Sequence, residues 1–450
     1  MESALSAGTG IRHASPVSRN PSDNTSPDPV NQAFDGISRR LDQSGLFNDV
    51  THRELLQING ILASLTPAET RQVIDRLADE SLKTWADEIG SHGLFGSGGL
   101  SADERADLFG DLASDLDLSQ LNRLYRSYSD TSLRSEWLTA AGQAKGTEAV
   151  KTALRDRMGL SSTGAGHAAL QVHLKDLNNL QHATQMSLFA NDVYRDFDPS
   201  LAHLSLQPDT RRLDPEHLPA QLGLSRNDLI DNGSGYHAAI YQQGQGGDAR
   251  YILAFRGTEN GTDWLTNLGS GVGFRMTQFS KADLLVGKLV EAVGNNRVEV
   301  TGHSLGGGLS NYVGMKHSVT STAFNPKGTT WREQWELQDE QAQAERYVHN
   351  YQVSGEILTG VQETADPLIM EAPGPVTKLP AIRPDGQVGH MLWETLEEGV
   401  QWLSPFHDAA RHDISGPVDR HGMDYVSRGL AARMNAAESQ ALRQLFDSLE

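Results

Sequence analysis

Gly302-His303-Ser304-Leu305-Gly306 is the stretch of this sequence best equipped for chemistry. It follows the apolar run RVEVT, from Arg297, and precedes a helix-compatible run from about Leu305, so strand, sharp turn and helix are expected in that order. A serine on such a turn needs glycine before and after it, because a side chain at either flank would collide with neighbouring backbone. The turn lifts Oγ above the sheet edge and sets the Leu305 N–H at a helix N-terminus, where the dipole stabilises an oxyanion. Ser304 is thereby a candidate acyl-transfer nucleophile, with Leu305 as oxyanion donor. A glycine-rich turn holding an incidental serine would read the same over five residues, so the flanks decide.

Upstream, RYILAFRG, from Arg250, reads as a strand from its β-branched and aromatic residues. It ends at Gly257-Thr258, where Gly257 permits close backbone approach and Thr258 can hydrogen-bond. The elements that must hold these residues alternate. A helix around Leu170–Val193 precedes strands at YHAAIYQ, from Tyr236, and at Arg250; a helix near Lys281–Val293 precedes the Arg297 strand. Strands near Thr320–Phe324 and Tyr347–Val353 follow, then helices. This pattern predicts an α/β fold with a mostly parallel central sheet covered on both faces. Between the two motifs, NLGSGVGFRMTQF, from Asn267, is expected to form a lid.

Ahead of this domain the periodicity is helical. Over residues 35–158 an all-helical region contains two similar units, LTPAETRQVIDRLAD from Leu65 and LSADERADLFGDLAS from Leu100. Each opens on a capping box, Thr66 with Glu69 and Ser101 with Glu104. Behind the boxes Val73, Ile74 and Leu77, or Leu108, Phe109 and Leu112, share one face, as packing helices require. Residues 1–34 are rich in Ser, Pro, Asn and Asp and are expected to be a disordered leader. A Gly/Ser linker is expected over 159–168, with the catalytic domain over 169–450.

RYILAFRGTENGTDWLTNL and VTGHSLGGGLS together resemble the class 3 lipase family of α/β-hydrolases, over roughly residues 182 to 430. QMSLFANDVYRDF, from Gln185, is similar to that family's leading helix. The resemblance implies a serine hydrolase of α/β-hydrolase type, acting on lipid esters as a lipase or phospholipase A, with no cofactor or metal. It assigns the second oxyanion donor to Thr258 and loop anchoring to Asp263 and Trp264. Acid and base then follow the serine in chain order. His317, His349, His390, His407, His412 and His421 all lie after Ser304. The segment RHGMDYVSRGL is similar to the family's H-x-M-x-Y pattern and makes His421 the expected base, with His412, His407 and His390 as alternatives. Glu356, in NYQVSGEILTG, stands where the family usually has aspartate, and Asp366 is the runner-up acid. His303 is expected to pack beneath the turn.

Charge limits the partners. Lys+Arg 38 against Asp+Glu 58 leaves −20, so nucleic acid is not expected as a partner, and contact with a lipid interface must come from a local apolar surface. The absence of cysteine rules out disulfides, thiolate catalysis and Cys-ligated metal. With no apolar N-terminal run, a soluble chain without signal peptide is expected, cytoplasmic in the producing cell. Leader, missing signal and added helices also resemble bacterial effector lipases exported by a dedicated secretion system, which implies a cognate chaperone or immunity protein. Two further readings stand beside the lipid hydrolase: an esterase for small soluble esters, and a non-catalytic interaction protein on a hydrolase scaffold.

Overall fold

The structure is a computed structural model describing residues 28–42, 50–90, 99–160, 164–198, 201, 204, 209–257, 272–328, 335–337, 340, 343–356, 372–383 and 422–449. Two compact units divide the chain, residues 1–145 and 146–450.

The described part of the first unit is helical: α1 Pro29–Leu41, α2 His52–Ala63, α3 Pro67–Arg76, α4 Asp79–Gly90, α5 Ala102–Asp115, α6 Leu118–Ser127 and the start of α7 (Thr131–Leu160). Both expected capping boxes are present. Thr66 N–H donates to Glu69 at 2.8 Å and Ser101 N–H to Glu104 at 2.8 Å, satisfying donors that a helix start leaves open. Val73, Ile74, Leu77, Leu108, Phe109 and Leu112 are all buried. One boundary differs from the sequence reading, because α1 begins inside the expected leader. Asp28 caps it by accepting the Val30 N–H at 3.1 Å, Pro29 sits in the first turn where its missing N–H costs nothing, and Val30 and Ala33 bury apolar surface. Residues 1–27 of that leader lie outside the described residues.

The division between units also falls elsewhere than the 159–168 stretch. It comes at Gly146, where φ of +73° interrupts α7, a conformation open to glycine at little cost. Gly159 remains helical, and α8 (Ala165–Asp192) has begun by Ala165.

The second unit is built on an eight-stranded sheet: β1 Thr210–Arg212, β2 Ile230–Asp231, β3 Tyr236–Gln243, β4 Arg250–Phe255, β5 Val298–His303, β6 Thr320–Phe324, β7 Val348–Val353 and β8 Val376–Leu379. The order is β1-β3-β4-β5-β6-β7-β8, with β2 beside β3; β4 through β8 run parallel, while β1, β2 and β4 each pair with β3 antiparallel. The central strands β4 and β5 are buried along most of their length on both faces, as their largely apolar runs require. The remaining long helices are α9 Val272–Val293, α10 Leu305–His317 and α11 Met423–Asp447. Val300, Leu253, Leu285, Leu289, Leu309 and Val313 form one core with α9 and α10, whereas Thr301, on the opposite face of β5, reaches the Met186 carbonyl of α8. Helix α11 packs on α8, β7 and β8. The mixed α/β architecture with a mostly parallel sheet is therefore as expected.

The lid expectation is corrected in part. Residues 272–279 form the opening turns of α9, and Phe279 is buried edge-on against Tyr312, with ring centroids 5.1 Å apart. Burial of Phe279 against α10 favours helix over an open loop. Residues 267–271 lie outside the described residues.

Candidate active site

β5 carries the chain to Ser304 and α10 carries it away. Ser304 is the N-cap residue of α10 with φ +59° and ψ −124°, an uncommon conformation for a side-chain-bearing residue. Backbone bonds hold it there. Its N–H donates to the Phe324 carbonyl at 3.0 Å, and its carbonyl accepts from Gly308 at 3.1 Å and from Lys327 at 3.0 Å. Glycine is required on both sides for measurable reasons: a Cβ on Gly302 would lie 2.3 Å from the Gly306 carbonyl oxygen, and one on Gly306 would lie 2.1 Å from that of Phe255. Leu305 opens the helix, so its N–H is among the amides without an intrahelical partner.

The end of β4 closes on this turn. A Cβ on Gly257 would stand 2.7 Å from the His303 carbonyl oxygen and 3.3 Å from Ser304 Cβ, so only glycine allows the two chains to approach this closely. The Gly257 N–H donates to the Tyr194 hydroxyl at 2.9 Å, and that hydroxyl lies 3.4 Å from His303 Nδ1. His303, 8% exposed, thus packs against Tyr194, with ring centroids 6.3 Å apart.

Tyr194 is held by a network the sequence did not disclose. Two residues earlier, at the end of α8, the Asp192 carboxylate pairs with Arg212 at 3.2 Å and accepts the Tyr241 hydroxyl at 2.7 Å; all three are buried. Arg212 also donates to the Asp192 and Arg195 carbonyls, so the chain bends around one guanidinium. Burial pushes the Tyr241 hydroxyl well above its usual range, keeping it a donor. No spacing rule links positions 192, 212 and 241, which meet only in three dimensions.

Glu356 lies just past β7, its N–H donating to the Val353 carbonyl at 3.3 Å, and is 1% exposed. β7 is the second strand beyond β5, and Asn325 bridges toward it: its N–H donates to Tyr351 and its side chain accepts from Val353 at 2.8 Å. Asn325 itself has φ +41°, which asparagine tolerates better than most residues. Glu356 and Ser304 therefore occupy the same edge, where the parallel strands end.

Two histidines are placed away from that edge. His317 ends α10, about 20 Å of helix from Ser304, and pairs with Asp283 at 2.8 Å. His349 is the second residue of β7, and burial lowers its pKa. Thr258, Asp263, Trp264, Asp366, His390, His407, His412 and His421 lie outside the described residues. Gly422, the N-cap of α11, begins the described chain after His421, and Gly429 further along α11 abuts Leu379 at the end of β8.

A cavity of about 440 Å³ opens beside this edge, lined by Tyr194, Arg195, Asp196 and Asp198. Nearby, His237 on β3 is driven down to a pKa of about 4, first by burial and then by Arg256, Arg212 and Arg226, with Asp196 opposing. Its unfolded value is 6.5, so the folded state takes up this proton later than the unfolded chain does. Stability from His237 is complete above 6.5 and is lost as pH falls toward about 4. The melting temperature of His237→Gln is therefore expected to fall less between pH 6.5 and 4 than that of the wild type, and parallel curves would refute this.

A mixed α/β unit with a mostly parallel sheet and a serine on its strand-to-helix turn is compatible with a hydrolase. Comparison with known proteins makes the class specific. Residues 185–396 match the family model of the Tle-like phospholipase domain, a span that takes in Thr258, Ser304, Leu305, Glu356 and Asp366 and ends before His421. The chain is 29% identical to the extracellular phospholipase A1 of Serratia liquefaciens over 251 residues, covering 55% of this chain and 69% of that protein. Both findings support a lipase/phospholipase family, and with it an ester hydrolase. Among the described residues no helix is long and apolar enough to cross a membrane, and no cluster of His, Asp and Glu could hold a metal.

Proposed function

We propose that residues 169–450 form a serine hydrolase of α/β-hydrolase type that cleaves carboxylic esters of lipids through an acyl-enzyme on Ser304. The observation that carries this reading is the backbone at Ser304, a positive φ held by three backbone hydrogen bonds, to Phe324, Gly308 and Lys327, between β5 and α10. Such strain persists where the surroundings over-determine it and where exposing a nucleophile is the return. The matches to phospholipases supply the substrate class.

In the proposed reaction Ser304 Oγ attacks the ester carbonyl carbon while its proton passes to Nε2 of His421. The carbonyl oxygen takes up the negative charge and is met by the N–H groups of Leu305 and Thr258. Collapse breaks the carbon–oxygen bond, the departing alcohol takes the proton from His421, and water then repeats the attack on the acyl-enzyme. Glu356 orients the imidazole, with Asp366 as the second choice; the near-complete burial of Glu356 separates it from an ordinary surface acid. Asp263 and Trp264 anchor the loop that carries Thr258. No metal or cofactor enters this route.

Tyr194 is the positioning residue that its hydrogen bond to Gly257 suggests. Tyr194→Phe removes the acceptor of that N–H and frees the turn leading to Thr258, so kcat is expected to fall about tenfold with KM and melting temperature nearly unchanged. A matched rise in KM, or no change in kcat, would refute it. The proposed activity itself is tested by incubating wild type and Ser304→Ala with a mixed lipid extract and identifying products by mass. Fatty acid and lysolipid should form with the wild type alone. Turnover confined to p-nitrophenyl acetate would point to a small-ester esterase instead.

A further inference from the structure

Phe324 ends β6 and its carbonyl accepts the Ser304 N–H at 3.0 Å; three residues on, the Lys327 N–H donates to the Ser304 carbonyl at 3.0 Å. To grip the serine from both sides the chain must leave the strand direction at once. It does so at Asn325, which is fully buried with φ +41°. The Asn325 N–H still donates to the Tyr351 carbonyl at 2.9 Å, and a regular parallel ladder would have the Asn325 carbonyl accept the next donor of β7, the Val353 N–H. The side-chain oxygen takes that place, accepting from Val353 at 2.8 Å. Asparagine meets both requirements, since it tolerates positive φ and carries an amide oxygen within reach.

Val353 in turn opens a tight turn to Glu356. Its carbonyl accepts the Glu356 N–H at 3.3 Å, Gly355 supplies a φ of +71°, and the Ser354 N–H is fixed by the Leu379 carbonyl of β8 at 2.9 Å. We propose that Asn325 is the positioning residue that sets Glu356 relative to Ser304. It adjoins Phe324, whose carbonyl holds the serine, and it takes the donor at the head of the turn that presents the acid. The inference rests on the reading of Ser304 as nucleophile and Glu356 as acid, and adds how their spacing is fixed. Without the clasp the Val353 N–H is a buried donor short of its acceptor, and the turn is held by β8 alone. Glu356 then orients the base less well, while substrate binding is untouched.

The test is a double-mutant cycle on hydrolysis of p-nitrophenyl butyrate, with wild type, Asn325→Gly, Glu356→Gln and the double variant. Glycine adopts φ +41° without strain, so the first substitution removes the clasp and leaves the backbone its course. The kcat of Asn325→Gly is expected to fall about tenfold with KM unchanged, and that of Glu356→Gln by about a hundredfold or more. The double variant should be slower than Glu356→Gln by no more than about twofold, because nothing is left to position. Rates are taken well below the unfolding midpoint of each variant. If Asn325→Gly does not accumulate, Asn325→Ser, whose hydroxyl stops short of the Val353 N–H, goes through the same cycle with the same expectation. Losses that multiply, a rise in KM matching the fall in kcat, or a wild-type kcat in the Asn325 variant overturn the role of Asn325 alone. A Glu356→Gln enzyme as fast as wild type overturns the acid as well and passes that assignment to Asp366.

Discussion

Ser304→Ala is expected to lower ester hydrolysis by about four orders of magnitude or more while the protein stays folded. Alanine keeps the Cβ, so the cost of φ +59° is the same in both proteins, and every backbone bond at the position survives: N–H to Phe324, carbonyl to Gly308 and Lys327. What disappears is Oγ alone. The residual rate should reflect oxyanion donors and substrate positioning, which act without the nucleophile. Hydrolysis of p-nitrophenyl butyrate and labelling by a fluorophosphonate provide the readout, with thermal unfolding as the control. If the variant still turned over substrate, or the wild type took no label at Ser304, the non-catalytic scaffold reading would replace the hydrolase.

Gly306→Ala should damage the fold rather than the chemistry. The added methyl would sit 2.1 Å from the Phe255 carbonyl oxygen and 2.8 Å from its carbon, both backbone atoms of a central strand. No rotamer change relieves such a contact; β4 must move away from α10, taking Gly257 with it. A loss of about 3 kcal/mol or more is expected, seen as a lower denaturant midpoint or as failure to accumulate soluble protein. Gly166→Ala, on α8 in the same unit with open space around its Cβ, is the matched control and should leave the midpoint level or slightly higher. Equal stability of the two variants would mean that the helix does not pack against the strand as described.

Much of this architecture was legible from local pattern. The strands at Tyr236, Arg250, Arg297, Thr320 and Tyr347 and the helix from Leu305 are short-range signals, apolar runs bounded by glycine or polar residues, and each is found where expected. Capping boxes were readable for the same reason, since both partners lie within one turn. Boundaries were less so. Helix α1 reaches back to Pro29 because Val30 and Ala33 find a core to bury in, and α9 begins at Val272 rather than Lys281, with Phe279 packing on Tyr312. Both extensions are stabilised by contacts with residues remote in sequence.

From sequence alone came the nucleophile candidate, the glycines around it, the acyl-transfer chemistry they permit and the family resemblance, because a tight turn writes its steric demands into consecutive residues. Tertiary structure alone decided that Gly257 touches the serine, that Tyr194 grips it, that a buried Asp192, Arg212 and Tyr241 group holds that tyrosine in place, and that Glu356 is interior. Each of these joins strands or helices tens of residues apart, and the burial that makes a carboxylate or a guanidinium consequential exists only once the sheet has brought them together.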